Sequence, residues 1–199
     1  MYKLKILIIT VIAIGGALII YNHFEKTPER SKDINEFSKA YTNISEDNIY
    51  KISTIDEIIH VLSNETGVIF FCTPESVWCQ KYAFYLNNGL KELNVEKIYY
   101  LNIKDYRELN TVKYQKIVDL LSDYLYSDDV NNKKIYMPDL TFVKNGNVIA
   151  HNNQTALVQS DNDPESYWSD NRIKDFNNKL KEYVELMNKE EELLEEGLD

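Results

Sequence analysis

The sequence predicts an α/β domain, a mixed central sheet with helices on both faces, behind an N-terminal membrane anchor. Three observations predict it. Strand-like and helix-like segments alternate from Asn48 to Met187, and such alternation builds helix-covered sheets. An Asn145-Gly146 pair separates two apolar runs, the strongest two-residue hairpin signal, so the sheet closes with an antiparallel pair. Residues Ile6 to Asn22 carry no charge.

The composition is consistent with this reading. A chain of 199 residues holds one ordinary domain plus an appendage, or two very small domains. At 44% hydrophobic and 27% charged it is neither disordered nor a multi-pass membrane protein. Two cysteines exclude a disulfide scaffold and a four-Cys zinc site. A net charge of −10 excludes a basic face for nucleic acid, so no nucleic-acid partner is expected. Glu190, Glu191, Glu192, Glu195, Glu196 and Asp199 supply much of that charge, which marks 189–199 as an acidic, solvated tail.

The uncharged run defines residues 1–22 as a membrane anchor. As a helix, 17 residues span about 26 Å, adequate for a bilayer core when flanking lysines snorkel. Lys3 and Lys5 precede the run and Tyr21 closes it. The positive-inside rule places the lysines in the cytoplasm and the body outside, giving a single-pass protein of the cell membrane. A cleaved signal peptide is the competing reading, but no small-x-small site follows between His23 and Asp33. Either way the body is exported to a space where disulfides persist.

Residues 23–47 are polar and read as a tether, with a short helix near Asn35 to Tyr41. The folded domain spans 48–188. Asn48 to Ser53 reads as a strand. Thr54 and Glu57 form a capping box, and Ile55, Ile58, Ile59 and Leu62 make one helix face. Gly67 leads into Val68-Ile69-Phe70-Phe71, apolar on both faces like a central strand. Pro74 and Ser76 open a helix with Cys79, Tyr82, Ala83, Leu86 and Leu90 on one side; Asn87-Asn88-Gly89 predicts a kink or early stop in it. Lys97 to Ile103 is a strand. Tyr114, Ile117, Val118, Leu121 and Leu125 make a helix over Val112 to Leu125. Leu140 to Val143 and Val148 to Ala150 flank the hairpin, with Pro138 at a strand start. A last helix runs from about Asp170 to Met187. The predicted order is β-α-β-α-β-α-β-β-α.

Two segments carry a resemblance. Met137-Pro138-Asp139-Leu140-Thr141-Phe142-Val143-Lys144-Asn145-Gly146 resembles the thioredoxin segment in which a cis-proline precedes the fourth strand and Lys-Asn-Gly makes the hairpin. Phe70-Phe71-Cys72-Thr73-Pro74-Glu75-Ser76-Val77-Trp78-Cys79 follows the buried second strand, where thioredoxins place CxxC. The chain is similar, over roughly Asn48 to Met187, to membrane-anchored thioredoxin-like proteins of Gram-positive bacteria. Some of those are described as bacteriocin transport accessory proteins, and they typically carry Pro-x-Cys-Pro-Trp-Cys. The resemblance implies a thioredoxin-like fold, a cis Met137–Pro138 bond and no cofactor. Asp139 stands where thioredoxins commonly have Thr.

This sequence departs from that pattern at the decisive atom. Pro74, Trp78 and Cys79 match, but the position of the family nucleophile is Ser76. A cysteine there attacks as a thiolate favoured by the helix N-terminus, and the second cysteine resolves the mixed disulfide. Serine can do neither. As an N-cap, Ser76 contributes ~1 kcal/mol; as a nucleophile it would need a base, and neither His60 nor His151 has a sequence reason to lie beside it. Cys79 is either a buried thiol or a redox thiol, and Cys72 can bridge to it if their Cα atoms lie within about 7 Å. His23, His60 and His151 are scattered, so no metal site is expected.

Two functions follow. One is a redox-impaired module whose groove at Trp78, Tyr136, Met137 and Pro138 binds an extended polypeptide or exported protein partner, as a chaperone or accessory. The other is an atypical thiol–disulfide oxidoreductase using Cys79 with Cys72 or a partner thiol.

Overall fold

The computed structural model describes residues 28–128, 130–159 and 163–189. The anchor and nearly all of the acidic tail lie outside the described residues. Among those described, no helix is long and apolar enough to cross a membrane.

Chain order is α1 (Pro28–Ala40), β1 (Tyr50–Ile52), α2 (Ile55–Asn64), β2 (Gly67–Cys72), α3 (Val77–Glu92), β3 (Ile98–Asn102), α4 (Lys104–Glu108), α5 (Val112–Leu120), β4 (Asp139–Lys144), β5 (Asn147–Asn152), α6 (Pro164–Tyr167) and α7 (Asp170–Asn188). The five strands form one mixed sheet in the order β1-β3-β2-β4-β5. β1 and β2 run parallel to β3, while β4 runs antiparallel to β2 and β5 antiparallel to β4. The α/β class with a mixed sheet is therefore as the sequence predicts.

Strand alternation divides the core in two. Val68, Phe70, Cys72, Leu140 and Phe142 face the layer of α1, α3 and α7. Ile69, Phe71, Leu101 and Val143 face α2 and α5. β2 lies centrally and is buried on both faces, which explains its unbroken apolar run.

Four local expectations are corrected. The described part of the segment read as a tether, 28–47, belongs to the folded body: Phe37, Tyr41 and Ile44 are buried. Phe37 stacks on Tyr50 with centroids 3.8 Å apart, and the Tyr41 hydroxyl donates to that of Tyr100. Phe37 lies in the last turn of α1, and Tyr41 and Ile44 follow in the turn after it, so the end of the helix and its exit together seat on the sheet amid polar neighbours. Next, α3 runs unbroken through Asn87-Asn88-Gly89. Buried Asn87 accepts the Ile49 N–H at 3.1 Å, and a Cβ on Gly89 would stand 2.7 Å from Leu180, so Gly89 lets α7 close on α3. α5 ends at Leu120, yet Leu121 and Leu125 remain buried in the turns beyond. Finally, only half of the capping box forms: Thr54 accepts the Glu57 N–H, while the Glu57 carboxylate pairs with Lys51.

The hairpin has the expected turn. Asn145 and Gly146 both take positive φ, 49° and 72°, as a type I′ turn requires. Gly146 is also needed for closeness, since a Cβ there would stand 2.3 Å from the Ser63 carbonyl oxygen. The register shifts between Phe142 and Val143, which pair with Ala150 and Val148, so Ile149 is the extra residue of a bulge in β5.

Candidate functional site

The cysteines sit where strand becomes helix. β2 ends at Cys72, a tight turn follows in which the Ser76 N–H donates to the Thr73 carbonyl, and α3 starts at Val77. Ser76 is the N-cap, its Oγ accepting the Cys79 N–H at 3.3 Å. The reversal brings the Cα atoms of Cys72 and Cys79 to 5.8 Å, and the two form a disulfide. Neither cysteine has solvent exposure. The Thr73 N–H donates to Cys79 Sγ at 3.3 Å.

The loop spanned by this bridge is tied to its surroundings. The Gln80 amide donates to the carbonyls of Pro74 and Ala40, both at 2.8 Å, linking the loop to the end of α1. The Tyr100 hydroxyl reaches the Cys72 carbonyl at 3.5 Å. Glu75 is bonded by the Thr73 hydroxyl, which lowers its carboxyl below the ordinary value.

β4 supplies the opposite wall. The β2–β4 ladder ends at the Phe71–Asp139 pair, so Pro138 stands one step on, across from Cys72. Met137–Pro138 is cis. Tyr136 and Met137 are half-buried, whereas Pro138 is buried. Met137 packs against both core halves, and its carbonyl accepts from the Gln159 amide at 2.7 Å. Trp78 is only 6% exposed because Tyr167 of α6 packs against it with centroids 5.3 Å apart. Of the four expected groove residues, Tyr136 and Met137 thus hold the accessible surface; Val77, the first residue of α3, is also well exposed.

A second constellation, missed by sequence reasoning, lies on β4 and β5. Asp139 is fully buried, and its Oδ2 lies 3.0 Å from His151 Nε2, a side chain 6% exposed. A carboxylate only accepts, so the imidazole N–H is the donor. The Thr141 hydroxyl donates to the other carboxylate oxygen at 3.3 Å. The Tyr124 ring lies 5.9 Å from the imidazole. Burial pushes the Tyr82 phenol far above its usual range, and the charge of Asp139 adds to that. The signal for this cluster lay in Asp139 itself, a carboxylate opening a strand whose next four residues, Leu140 to Val143, carry no charge.

The remaining candidates are dispersed. His60 is exposed and pairs with Glu65. His23 lies outside the described residues. Among the described residues no group of three His, Cys, Asp or Glu side chains is placed to hold a metal ion. Compared with known proteins, the chain matches no family model and no curated protein.

Proposed function

We propose that this protein is an exported, membrane-tethered module of the thioredoxin-like kind that binds an extended polypeptide and has lost the dithiol cycle. The observation that carries this reading is the use of Ser76. Its hydroxyl caps α3 by accepting the Cys79 N–H, so the position of a family nucleophile serves helix formation. Cys79 is shut into a buried bridge with Cys72. A thiolate attacking a disulfide must approach a sulfur directly, and neither sulfur offers surface. The part of the wall that remains accessible, Tyr136 and Met137, is apolar and aromatic, suited to alternate side chains of an extended chain.

The test pairs binding with turnover. Extended peptides should bind the wild type, and Met137→Glu should weaken them, by fluorescence anisotropy. Insulin reduction should stay near background. Strong, reductant-dependent turnover with no peptide binding would overturn the proposal. It would favour the second reading, an oxidoreductase working through Cys72–Cys79. That reading is supported by the bridge itself, which links the two cysteines next to Pro138.

A further inference from the structure

The segment that leads into Pro138 lies beyond the end of the β2–β4 ladder, which stops at Asp139. Side chains from elsewhere answer its main chain instead. The Ile135 N–H donates to the Tyr114 hydroxyl at 3.2 Å, and the Ile135 carbonyl accepts from Arg107 at 3.3 Å. The Met137 carbonyl accepts from the side-chain amide of Gln159 at 2.7 Å. Among the described residues the Met137 N–H has no partner.

These bonds serve different ends. Ile135 is fully buried, so its two polar groups must be paired inside the fold whatever the protein binds. Met137 and Gln159 are both half-buried, so water can replace either partner when the other leaves. A primary amide offers the same kind of N–H donor as a peptide bond. In an antiparallel pair, facing residues exchange both main-chain bonds, N–H to carbonyl in each direction. Met137 is thus a half-filled pairing position: its N–H is open, and its carbonyl is held by a donor of the kind that an incoming strand brings.

Gln159 is also easy to release. The single 3-10 turn after β5, Gln154–Leu157, is seated through buried Thr155. Gln159 can leave the carbonyl by rotation about its own side-chain bonds, with β5 and that turn in place. We propose that Gln159 is a resident competitor for the bound polypeptide. It occupies the Met137 carbonyl in the free protein and swings away when a chain pairs there. This rests on the reading of the groove as a polypeptide site. A site open for only a fraction of the time binds with its affinity reduced by that fraction, so Gln159 sets how tightly the groove holds a chain.

The test uses the full chain in detergent and a fluorescein-labelled peptide of alternating valine and serine, free of thiols. Gln159→Ala and Gln159→Met, the second keeping the length of the side chain without its donor, should each tighten binding by anisotropy about three- to tenfold, the range of one net hydrogen bond. In ¹⁵N-labelled wild type, the Gln159 side-chain amide signal, identified by its loss in Gln159→Met, should move to the position of a water-exposed glutamine as peptide saturates. Binding by the variants alone, with none to the wild type, would support the proposal. Variants that bind like the wild type or more weakly would overturn it and leave the polypeptide site standing. So would tightening by Gln159→Ala alone, which would mark bulk rather than the donor, or an amide signal unmoved at saturation. No binding to any of the three proteins would defeat the polypeptide site itself, and the competitor with it.

Discussion

The Asp139 carboxylate and the His151 imidazole meet at 3.0 Å on neighbouring strands, with almost no water reaching either side chain. Burying charge is tolerated only when the partner and further hydrogen bonds compensate it. Here Thr141 provides the second bond. Removing one partner leaves the other stranded, which costs about 3–5 kcal/mol. His151→Ala and Asp139→Ala should each lower stability by that order in chemical denaturation. Asp139→Val combined with His151→Leu should cost much less than the sum, because both polar groups leave together. Additive losses in the double variant would refute a coupled pair.

The Cys72–Cys79 bridge joins β2 to α3 beneath a capped helix end. It closes a short loop, for which chain-entropy reasoning gives about 2 kcal/mol of stabilisation. Native protein should yield no thiol to an alkylating agent, even with mild reductant, because both sulfurs are covered. Denaturant plus reductant should expose two. Cys72→Ala should lower the unfolding midpoint by a similar ~2 kcal/mol. Rapid alkylation of the folded, mildly reduced protein would show that the sulfurs are reached in the native state.

Ser76 offers the sharpest chemical test of the lost cycle. Ser76→Cys alone should add one reactive thiol with a pKa below the reference ~8.5, since it sits at a helix N-terminus. Cys79 is already committed to Cys72, so turnover should stay low. Ser76→Cys with Cys72→Ala frees Cys79 one helical turn away and should gain insulin reduction. If the double variant stays inert while its new thiol is reactive, Cys79 is turned from the helix end and the alignment with a redox motif fails.

Alkaline pH should act through the tyrosines. Burial raises the phenols of Tyr41, Tyr50 and Tyr82 well above their ordinary value, and holds those of Tyr99 and Tyr100 at about 12. In each case the folded state keeps its proton longer than the unfolded chain, whose tyrosines titrate near 10. The stability from these groups is whole below pH ~10 and is lost as pH climbs through the folded values. Absorbance at tyrosinate wavelengths should therefore rise in two stages, exposed phenols first and buried ones together with unfolding. A single titration centred near pH 10 in native protein would contradict the buried aromatic cluster.

How much of this was legible follows from range. Strands and helices of the body could be read because each has its own period, and Asn145-Gly146 set the hairpin. Pairings across the fold could not. Counting back from a simple two-residue hairpin pairs His151 with Leu140, on the opposite face from Asp139. The bulge at Ile149 shifts the register so that His151 pairs with Thr141 instead, and only then does it reach Asp139. The Cys72–Cys79 bridge likewise depends on how sharply the chain turns after β2, a distance that sequence spacing leaves open. Asn87 looked like a helix breaker because its partner, the Ile49 N–H, lies on another element.

The segment before β1 gives the last prediction, because it is where composition misled most. Residues 28–47 are largely polar, yet Phe37 is 1% exposed and Tyr41 fully buried. Phe37 lies between Tyr41 and Tyr50, with stacked centroids 4.3 Å and 3.8 Å away, and meets Tyr100 edge-on. β1 is a three-residue edge strand, so α1 covers much of what would otherwise be an open flank. Phe37→Ala should cost about 3–5 kcal/mol, as for other buried aromatics. Tyr41→Phe removes only the hydroxyl bond to Tyr100 and should cost about 1 kcal/mol. A chain beginning at Asn48 should lose cooperative unfolding or aggregate, whereas one beginning just before Pro28 should melt like the longer protein. If the Asn48 chain unfolds with an unchanged midpoint, α1 is a passenger on the sheet and the tether reading is restored.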